Sequence, residues 1–122
     1  MKAKLVKENL GDILKPKLKE DIIKQLSNLC REEKEDKLFN AIYDDQLEIV
    51  KYLIEAGVNI NAKDKDGDTA LMLASIYNNL NMVKYLIEKG ANINYKNVYG
   101  QTASLYAIDE DIMELLKRSG AK

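Results

Sequence analysis

The chain has 122 residues, enough for one domain with a continuous core of modest size. Hydrophobic residues make up 46% and charged residues 32%, and the formal net charge is -1, a balance that does not favour binding to nucleic acid or to an acidic membrane. Because there is no histidine, the most common general base and the most common neutral metal ligand are absent, and we expect no catalytic residues, no metal and no cofactor.

Residues 1–30 form an N-terminal extension that differs in pattern from the rest of the chain. A first, weak helical piece is suggested by the apolar residues Leu5, Val6, Leu10, Ile13 and Leu14. Gly11 and Pro16 interrupt it. An amphipathic helix is then predicted from about Leu18 to Leu29. Its apolar positions at helical spacing are Ile22, Ile23, Leu26 and Leu29. Ser27 or Asn28 is of a type that caps the helix expected next.

From residue 31 onward the sequence repeats at an interval of 33 residues. The segment Lys51–Glu55 recurs unchanged as Lys84–Glu88. Gly57 matches Gly90 at the same offset, and a third copy follows in which the turn and first-helix residues recur again. The copies span about 31–63, 64–96 and 97–122. A fixed period of this length is the signature of a stacked repeat protein.

The pattern inside each copy predicts two helices joined by a turn. Apolar residues fall at helical spacing from Leu47 to Ile54. Glycine follows at a position where helices commonly end in a left-handed residue. The alternation over residues 58–61 predicts a short extended segment, and Asp66-Gly67 predicts a turn. One such unit cannot bury its apolar face alone, whereas stacked units can.

The second copy resembles the ankyrin repeat most clearly. It reads Asp64-Lys65-Asp66-Gly67-Asp68-Thr69-Ala70-Leu71-Met72-Leu73-Ala74 and closes with Gly90-Ala91-Asn92-Ile93-Asn94. The resemblance covers about residues 34–122. It implies an all-α solenoid of stacked helix-turn-helix units with short β-turn or hairpin tips. The last copy is three residues short and polar, as a terminal repeat should be.

Departures from the family pattern predict lower stability without loss of the fold. Ala70 and Ala103 replace its proline, and Met72 and Leu105 replace its histidine. The proline presets the first helical turn, and the histidine usually ties neighbouring repeats together. The family glycine between the two helices is Asn78 here and Asp45 in the first copy. Both residue types tolerate left-handed geometry, so we expect the turn to survive.

The amphipathic helix of the extension has two interpretations. It covers the exposed apolar end of the stack as an N-terminal helical cap, or it is a docking segment for a larger assembly. Deleting residues 1–30 distinguishes them, since only loss of a cap lowers the melting point.

Two other features have simpler explanations than a chemical site. The segment Asp64–Asp68 resembles the start of a calcium loop, but Thr69 and Ser75 stand where that loop needs glycine and glutamate. Cys30 is the only cysteine and has no histidine to activate it. It cannot form an internal disulfide, which fits a reducing compartment.

The resemblance implies a protein-protein interaction module that binds through the concave face of the stack. This face is formed by the first helices and the turn tips. Some of its side chains could instead pack on adjoining repeats. The predicted contact residues are Tyr43, Asp44, Lys65, Asp66, Asp68, Ile76, Tyr77, Val98, Tyr99 and Gln101.

We therefore predict a monomeric, non-enzymatic module that binds another protein, and neither nucleic acid nor a membrane. The charged first residues do not resemble a signal peptide, so a cytoplasmic location is expected. The alternative is a small regulatory or assembly subunit that docks through its N-terminal helix. Such a subunit could be a host-directed effector acting in the host cytosol.

Overall fold

The computed structural model describes the backbone of residues 15–121 and the side chains of residues 19–121. The helices are α1 (Lys15–Ser27), α2 (Arg31–Tyr43), α3 (Leu47–Glu55), α4 (Ala70–Ile76), α5 (Leu80–Glu88), α6 (Ala103–Tyr106) and α7 (Glu110–Arg118). Within these residues there is no strand, and Lys63 and Thr69 form one isolated antiparallel bridge. The weak helical piece predicted over Leu5–Leu14 lies outside the described residues. No helix in the described part is long and apolar enough to cross a membrane.

The repeat unit is a pair of helices, and the pairs stack side by side to bury one continuous core. Helix α2 packs on α3, α4 on α5 and α6 on α7, while α2, α4 and α6 lie next to one another. The largest fully buried side chains come from all three copies: Leu38, Leu53, Leu71, Met72, Met82, Leu86, Ile112 and Leu116. The predicted all-α solenoid is confirmed.

The second helix of each of the first two copies ends as the sequence predicts. Gly57 and Gly90 have φ values of 94° and 92°, in the left-handed region that glycine enters without strain. The Gly57 amide donates to the carbonyl of Ile54, and the Val58 amide donates to that of Leu53. These bonds satisfy carbonyl groups that the helix end would otherwise leave unpaired.

The turn between the two helices also has the predicted left-handed residue. Asp45 and Asn78 both have a φ of 56°, so they take the geometry that glycine supplies in the family pattern. The side-chain amide of Asn79 donates to the Asp45 carboxylate and thereby joins the turns of neighbouring repeats.

Met72, at the position of the family histidine, is part of the core. Its side chain is fully buried, and its sulfur accepts a hydrogen bond from the Thr69 amide at 3.5 Å. The Met72 amide in turn donates to the Thr69 hydroxyl, which caps α4. A polarizable thioether therefore fills the space and partly replaces the lost polar contact.

The short extended segment predicted over residues 58–61 is a turn instead. The Ala62 amide donates to the Asn59 carbonyl at 3.0 Å, and the Asn59 side chain accepts from the Asn61 amide at 2.9 Å. An asparagine that bonds its own backbone two residues on favours a turn over a strand. The alternation reflects apolar side chains packing inward, since Val58 is buried and Ile60 packs on the core.

The N-terminal helix begins at Lys15 and ends at Ser27, three and two residues earlier than predicted. Pro16 lies in its first turn, where the missing amide costs no helical hydrogen bond. Helix α1 packs against α3. The Lys19 amine lies 3.8 Å from the Glu55 carboxylate and 6.0 Å from the centre of the Tyr52 ring, and Leu26 packs on the core. These contacts are of the kind that a cap requires.

The predicted cap of the next helix is wrong. Cys30 is the N-cap of α2, whereas the Ser27 hydroxyl donates back to the carbonyl of Ile23. The Glu33 carboxylate accepts from the Cys30 amide at 3.3 Å. Hydrogen bonds from the Cys30 side chain and then from its backbone lower the pKa of Glu33. Glu33 thus supplies the capping interaction that the cysteine side chain supplies poorly.

Candidate protein-interaction surface

Helix α2 and the first turn tip, residues 63–68, line an open groove of about 610 Å³, here called the α2 groove. Its lining residues are Glu32, Glu35, Asp36, Phe39, Asn40, Tyr43, Lys63, Asp64, Lys65 and Asp66. The groove lies on the side of the stack formed by first helices and tips, which is the predicted concave face. The structure thus brings Tyr43, Lys65 and Asp66 together around one depression.

Tyr43 and Tyr77 form an exposed aromatic pair at one end of this groove. Their ring centres are 5.6 Å apart with an interplanar angle of 73°, an edge-to-face arrangement. The side chains are 50% and 51% exposed, so each ring keeps a free face. Burial, followed by the nearby Tyr77 and the carboxylates of the tip, raises the pKa of Tyr43. Tyr43 is the last residue of α2 and Tyr77 directly follows α4, so each ring is attached next to helical residues that are buried in the core.

The second turn tip, residues 96–101, extends the same face. Val98 and Tyr99 are 68% and 71% exposed. The Val98 amide donates to the Asp66 carbonyl at 3.1 Å, which joins the two tips. Asp44 is also exposed, whereas Ile76 is half-buried and packs on the core. Seven of the ten predicted contact residues therefore keep a solvent-facing side chain.

Asp68 and Gln101 belong to an internal network instead: Asp68 is buried, which corrects its predicted place on the surface, and Gln101 is half-buried. Asp68 is only 7% exposed, and its carboxylate accepts from the side-chain amide of Asn97 at 2.8 Å and from the Tyr106 hydroxyl at 3.2 Å. The Gln101 side-chain oxygen accepts from the Tyr106 hydroxyl at 2.7 Å. These groups bind the second repeat to the third.

Asn97 is the centre of this network. Its side-chain amide also donates to the Tyr106 hydroxyl at 2.6 Å, and its oxygen accepts the backbone amides of Tyr99 and Gln101, both at 2.9 Å. Its two amide hydrogens can serve Asp68 and Tyr106, while the single phenol proton is shared between the Gln101 oxygen and the Asp68 carboxylate. Burial first, and the Asp68 carboxylate second, raise the pKa of Tyr106.

Sequence reasoning missed Asn97 and Tyr106, although the repeat offset held a signal. Asn97 lies 33 residues after Asp64, so an amide replaces a carboxylate at equivalent places in successive tips. Asp64 accepts the amides of Asp66 and Asp68, both at 2.9 Å, in the same geometry. Only the amide can also donate, which explains why the second tip reaches Asp68.

The three aspartates of the first tip converge, but the carboxylates of Asp64 and Asp68 are already used in hydrogen bonds. Carboxylate oxygens of Asp64, Asp66 and Asp68 lie within 4.8 Å of one another. Asp64 accepts two backbone amides and Asp68 accepts two side-chain donors. The turn and the contact between repeats therefore account for the carboxylates of Asp64 and Asp68.

Apolar side chains are also exposed on the third repeat. Leu105, Ile108 and Met113 are exposed on α6, the following turn and α7. Leu105 lies 33 residues after Met72, which the third repeat covers. Within residues 15–121 nothing lies in the equivalent place over Leu105, and it is 69% exposed.

The stacked helix pairs, the left-handed turns and the exposed tips define a helical-repeat solenoid with an open polar and aromatic face. The family model for ankyrin repeats, in three copies, matches residues 38–122. The chain therefore belongs to the ankyrin-repeat family. Ankyrin repeats are generally protein-protein interaction modules and typically have no enzymatic activity. A search of curated proteins found no match.

Proposed function

We propose that this chain binds a partner protein through the concave face of its ankyrin stack. The observation that carries the proposal is the exposed Tyr43–Tyr77 pair beside the α2 groove. The proposed contact residues are Tyr43, Asp44, Lys65, Asp66, Tyr77, Val98 and Tyr99. We further propose that the chain acts as a monomer, without catalysis, and binds neither nucleic acid nor a membrane. Its exposed free Cys30 is consistent with action in a reducing cytoplasm, its own or that of a host.

Exposed aromatic side chains on a rigid scaffold favour this role. Tyrosine is enriched among the residues that dominate binding energy, and truncating one such residue typically costs about 2 kcal/mol or more. The rings have little conformational freedom to lose on binding, because the ring centres of Tyr43 and Tyr77 already lie 5.6 Å apart. A pre-ordered surface lowers the entropic cost of association.

Affinity capture with a matched control tests the proposal. The wild-type chain and a Tyr77→Ala, Tyr99→Ala variant are used to retain proteins from cell lysates, which are identified by mass spectrometry. The control is Leu105→Ala with Ile108→Ala, which removes exposed apolar side chains from the last repeat. A protein held by wild type and control but lost from the tyrosine variant supports the concave face. Equal retention by all three would refute it.

Docking through the N-terminal helix is a second candidate function. The observation that favours it is the incomplete burial of the apolar side of α1, since Ile22, Ile23 and Leu26 are only half-buried against the stack. A partner could cover them further and gain apolar contact. A peptide of residues 1–30 that binds the captured partner as tightly as the whole chain would favour this route over the concave face.

A further inference from the structure

We infer that the partner segment bound by the concave face is basic, an extended stretch of chain that carries lysine or arginine side chains. This inference rests on the proposed function and specifies the chemistry of the partner. It is drawn from the charge of the α2 groove, from the aromatic pair at its end, and from the interactions that already occupy the groove's few cations.

The α2 groove has a far more negative lining than the chain as a whole. Its lining contains five acidic and two basic residues, a formal charge of -3, against -1 for all 122 residues. Glu32, Glu35 and Asp36 lie along α2, and Asp64 and Asp66 face them from the tip. Charges of one sign along a concave wall raise the local concentration of oppositely charged ligands.

The two lysines of the groove offset only two of its five negative charges, which leaves the net charge of -3. The Lys63 amine lies 4.3 Å from the centre of the Tyr95 ring, where a cation-π contact holds it. Lys65 is exposed at the turn. On the acidic side, Arg31 lies 3.1 Å from Glu35, but its own side chain is 87% exposed and the pair is screened by solvent. Glu32, Asp36 and Asp66 have exposed side chains that a basic partner can reach.

The aromatic end of the groove suits a guanidinium or ammonium group. Tyr43 lines both the α2 groove and a neighbouring depression that contains Tyr77, so a cation at Tyr43 lies between a ring face and the acidic wall. The chain already uses this contact elsewhere, since the Lys51 amine lies 5.6 Å from the centre of the Tyr85 ring. Arginine combines ring stacking with bidentate bonds to a carboxylate.

The length of the groove fits an extended peptide. Glu32 and Tyr43 are eleven residues apart on α2, and a rise of 1.5 Å per residue separates them by about 16 Å. An extended chain covers that distance in about five residues. The groove is open to solvent along this length, so a peptide can lie in it without any movement of the helices. A nucleic acid strand would be repelled by the same wall.

Selection from a displayed library of random peptides, about twelve residues long, tests the inference with three baits. The first is the wild-type chain. The second reverses the groove charge with Glu32→Lys, Asp36→Lys and Asp66→Lys. The third makes the same change in net charge on second helices with Glu48→Lys, Glu88→Lys and Glu114→Lys. Circular dichroism first verifies that both variants keep the helix content of wild type.

We expect the wild type and the third bait to enrich peptides rich in lysine and arginine. These peptides should bind the groove-reversed variant at least about tenfold more weakly, because charge reversal at an interface replaces attraction with repulsion. Their affinity for wild type should fall as salt is raised. A wild-type bait that enriches no basic peptides, or basic peptides that bind all three baits equally, overturns the inference.

The same experiment separates this inference from the proposed function. Selected peptides that lack basic residues, yet are weakened by Tyr43→Ala with Tyr77→Ala, would overturn the basic partner and leave the concave face in place. Selected peptides that neither the tyrosine changes nor the groove reversal weaken would overturn both. Basic peptides weakened by both sets of changes support both.

Discussion

Replacing Asn97 by aspartate should strongly weaken the contact between the second and third repeats. Asn97→Asp keeps the oxygen that accepts the amides of Tyr99 and Gln101, as the carboxylate of Asp64 does for the equivalent amides one repeat earlier. It removes the donor that now lies 2.8 Å from the Asp68 carboxylate and places a second carboxylate there. The backbone of the tip is therefore preserved while the link across the repeats is lost.

The loss in free energy of unfolding caused by Asn97→Asp has two contributions. A hydrogen bond to a charged group contributes about 1.5–3 kcal/mol. Two like charges about 4 Å apart repel by about 4 kcal/mol at the effective dielectric of partly buried sites. Protonation of one carboxylate relieves this repulsion in part, so we expect a net loss of about 3 kcal/mol at neutral pH. That is a large fraction of the stability of a small domain.

The loss should depend on pH, because the folded variant holds a proton between the two carboxylates that the unfolded chain releases. Its stability relative to wild type should therefore rise as pH falls toward about 4 and decline as pH increases. Urea unfolding followed by circular dichroism at about pH 7 and about pH 4.5 measures this. Asp64→Asn is the matched control, since it makes the reverse swap at the equivalent place. A loss no larger than in the control, or one that does not change with pH, would refute the reasoning.

Three further predictions concern stability. Gly67→Ala should lower the free energy of unfolding in urea by about 1 kcal/mol more than Gly100→Ala. Both glycines are left-handed, with φ values of 75° and 76°. A Cβ at Gly67 would lie 3.1 Å from the Val98 nitrogen, whereas a Cβ at Gly100 meets nothing within 4 Å. Equal costs would contradict close packing of the tips. Deleting residues 1–30 should lower the melting point by about 5–10 °C, because half-buried apolar contacts of α1 with the stack are lost; an unchanged melting point and a monomeric remainder would exclude the cap. Because the pKa of Tyr106 is raised, its contribution to stability is complete below the usual pKa of 10.0 and is lost as pH rises through the folded-state pKa. Tyr106→Phe should therefore lessen the fall in melting point above about pH 10. An equally steep fall in both proteins would contradict this.

The features that the sequence predicted correctly are those encoded within a few residues. A left-handed residue is required wherever two helices join by a tight turn, and Asp45 and Asn78 are among the few types that accept it. Gly57 and Gly90 end their helices for the same kind of reason. The period of 33 residues then carries each local assignment to the next copy. The geometry of these turns and helix ends was therefore readable without knowing how the copies pack.

The network around Asp68, which the sequence did not predict, depends on contacts between copies. Asp68 and Gln101 occupy a polar turn, which on its own indicates exposure. Asp68 is drawn inward because Asn97 and Tyr106 of the next repeat supply donors for it, and Gln101 accepts from Tyr106 of its own repeat. Partners separated by 29 or 38 residues share no local pattern. A polar residue at a repeat tip can thus be a surface contact or an internal link, and only the stack decides which.

The internal network and the outer surface of the tips have complementary roles. Asp64 and Asn97 fix the backbone of their tips from inside, by accepting amides two and four residues further along the chain. The other side chains of each tip, such as those of Lys65 and Tyr99, contribute nothing to that backbone geometry and are free to face a partner. The tips are consequently ordered before binding, which reduces the entropy lost on association. Removal of the Tyr99 side chain should therefore lower affinity for a partner while leaving the melting point nearly unchanged. Removal of the Asn97 side chain should instead affect the melting point more than the affinity.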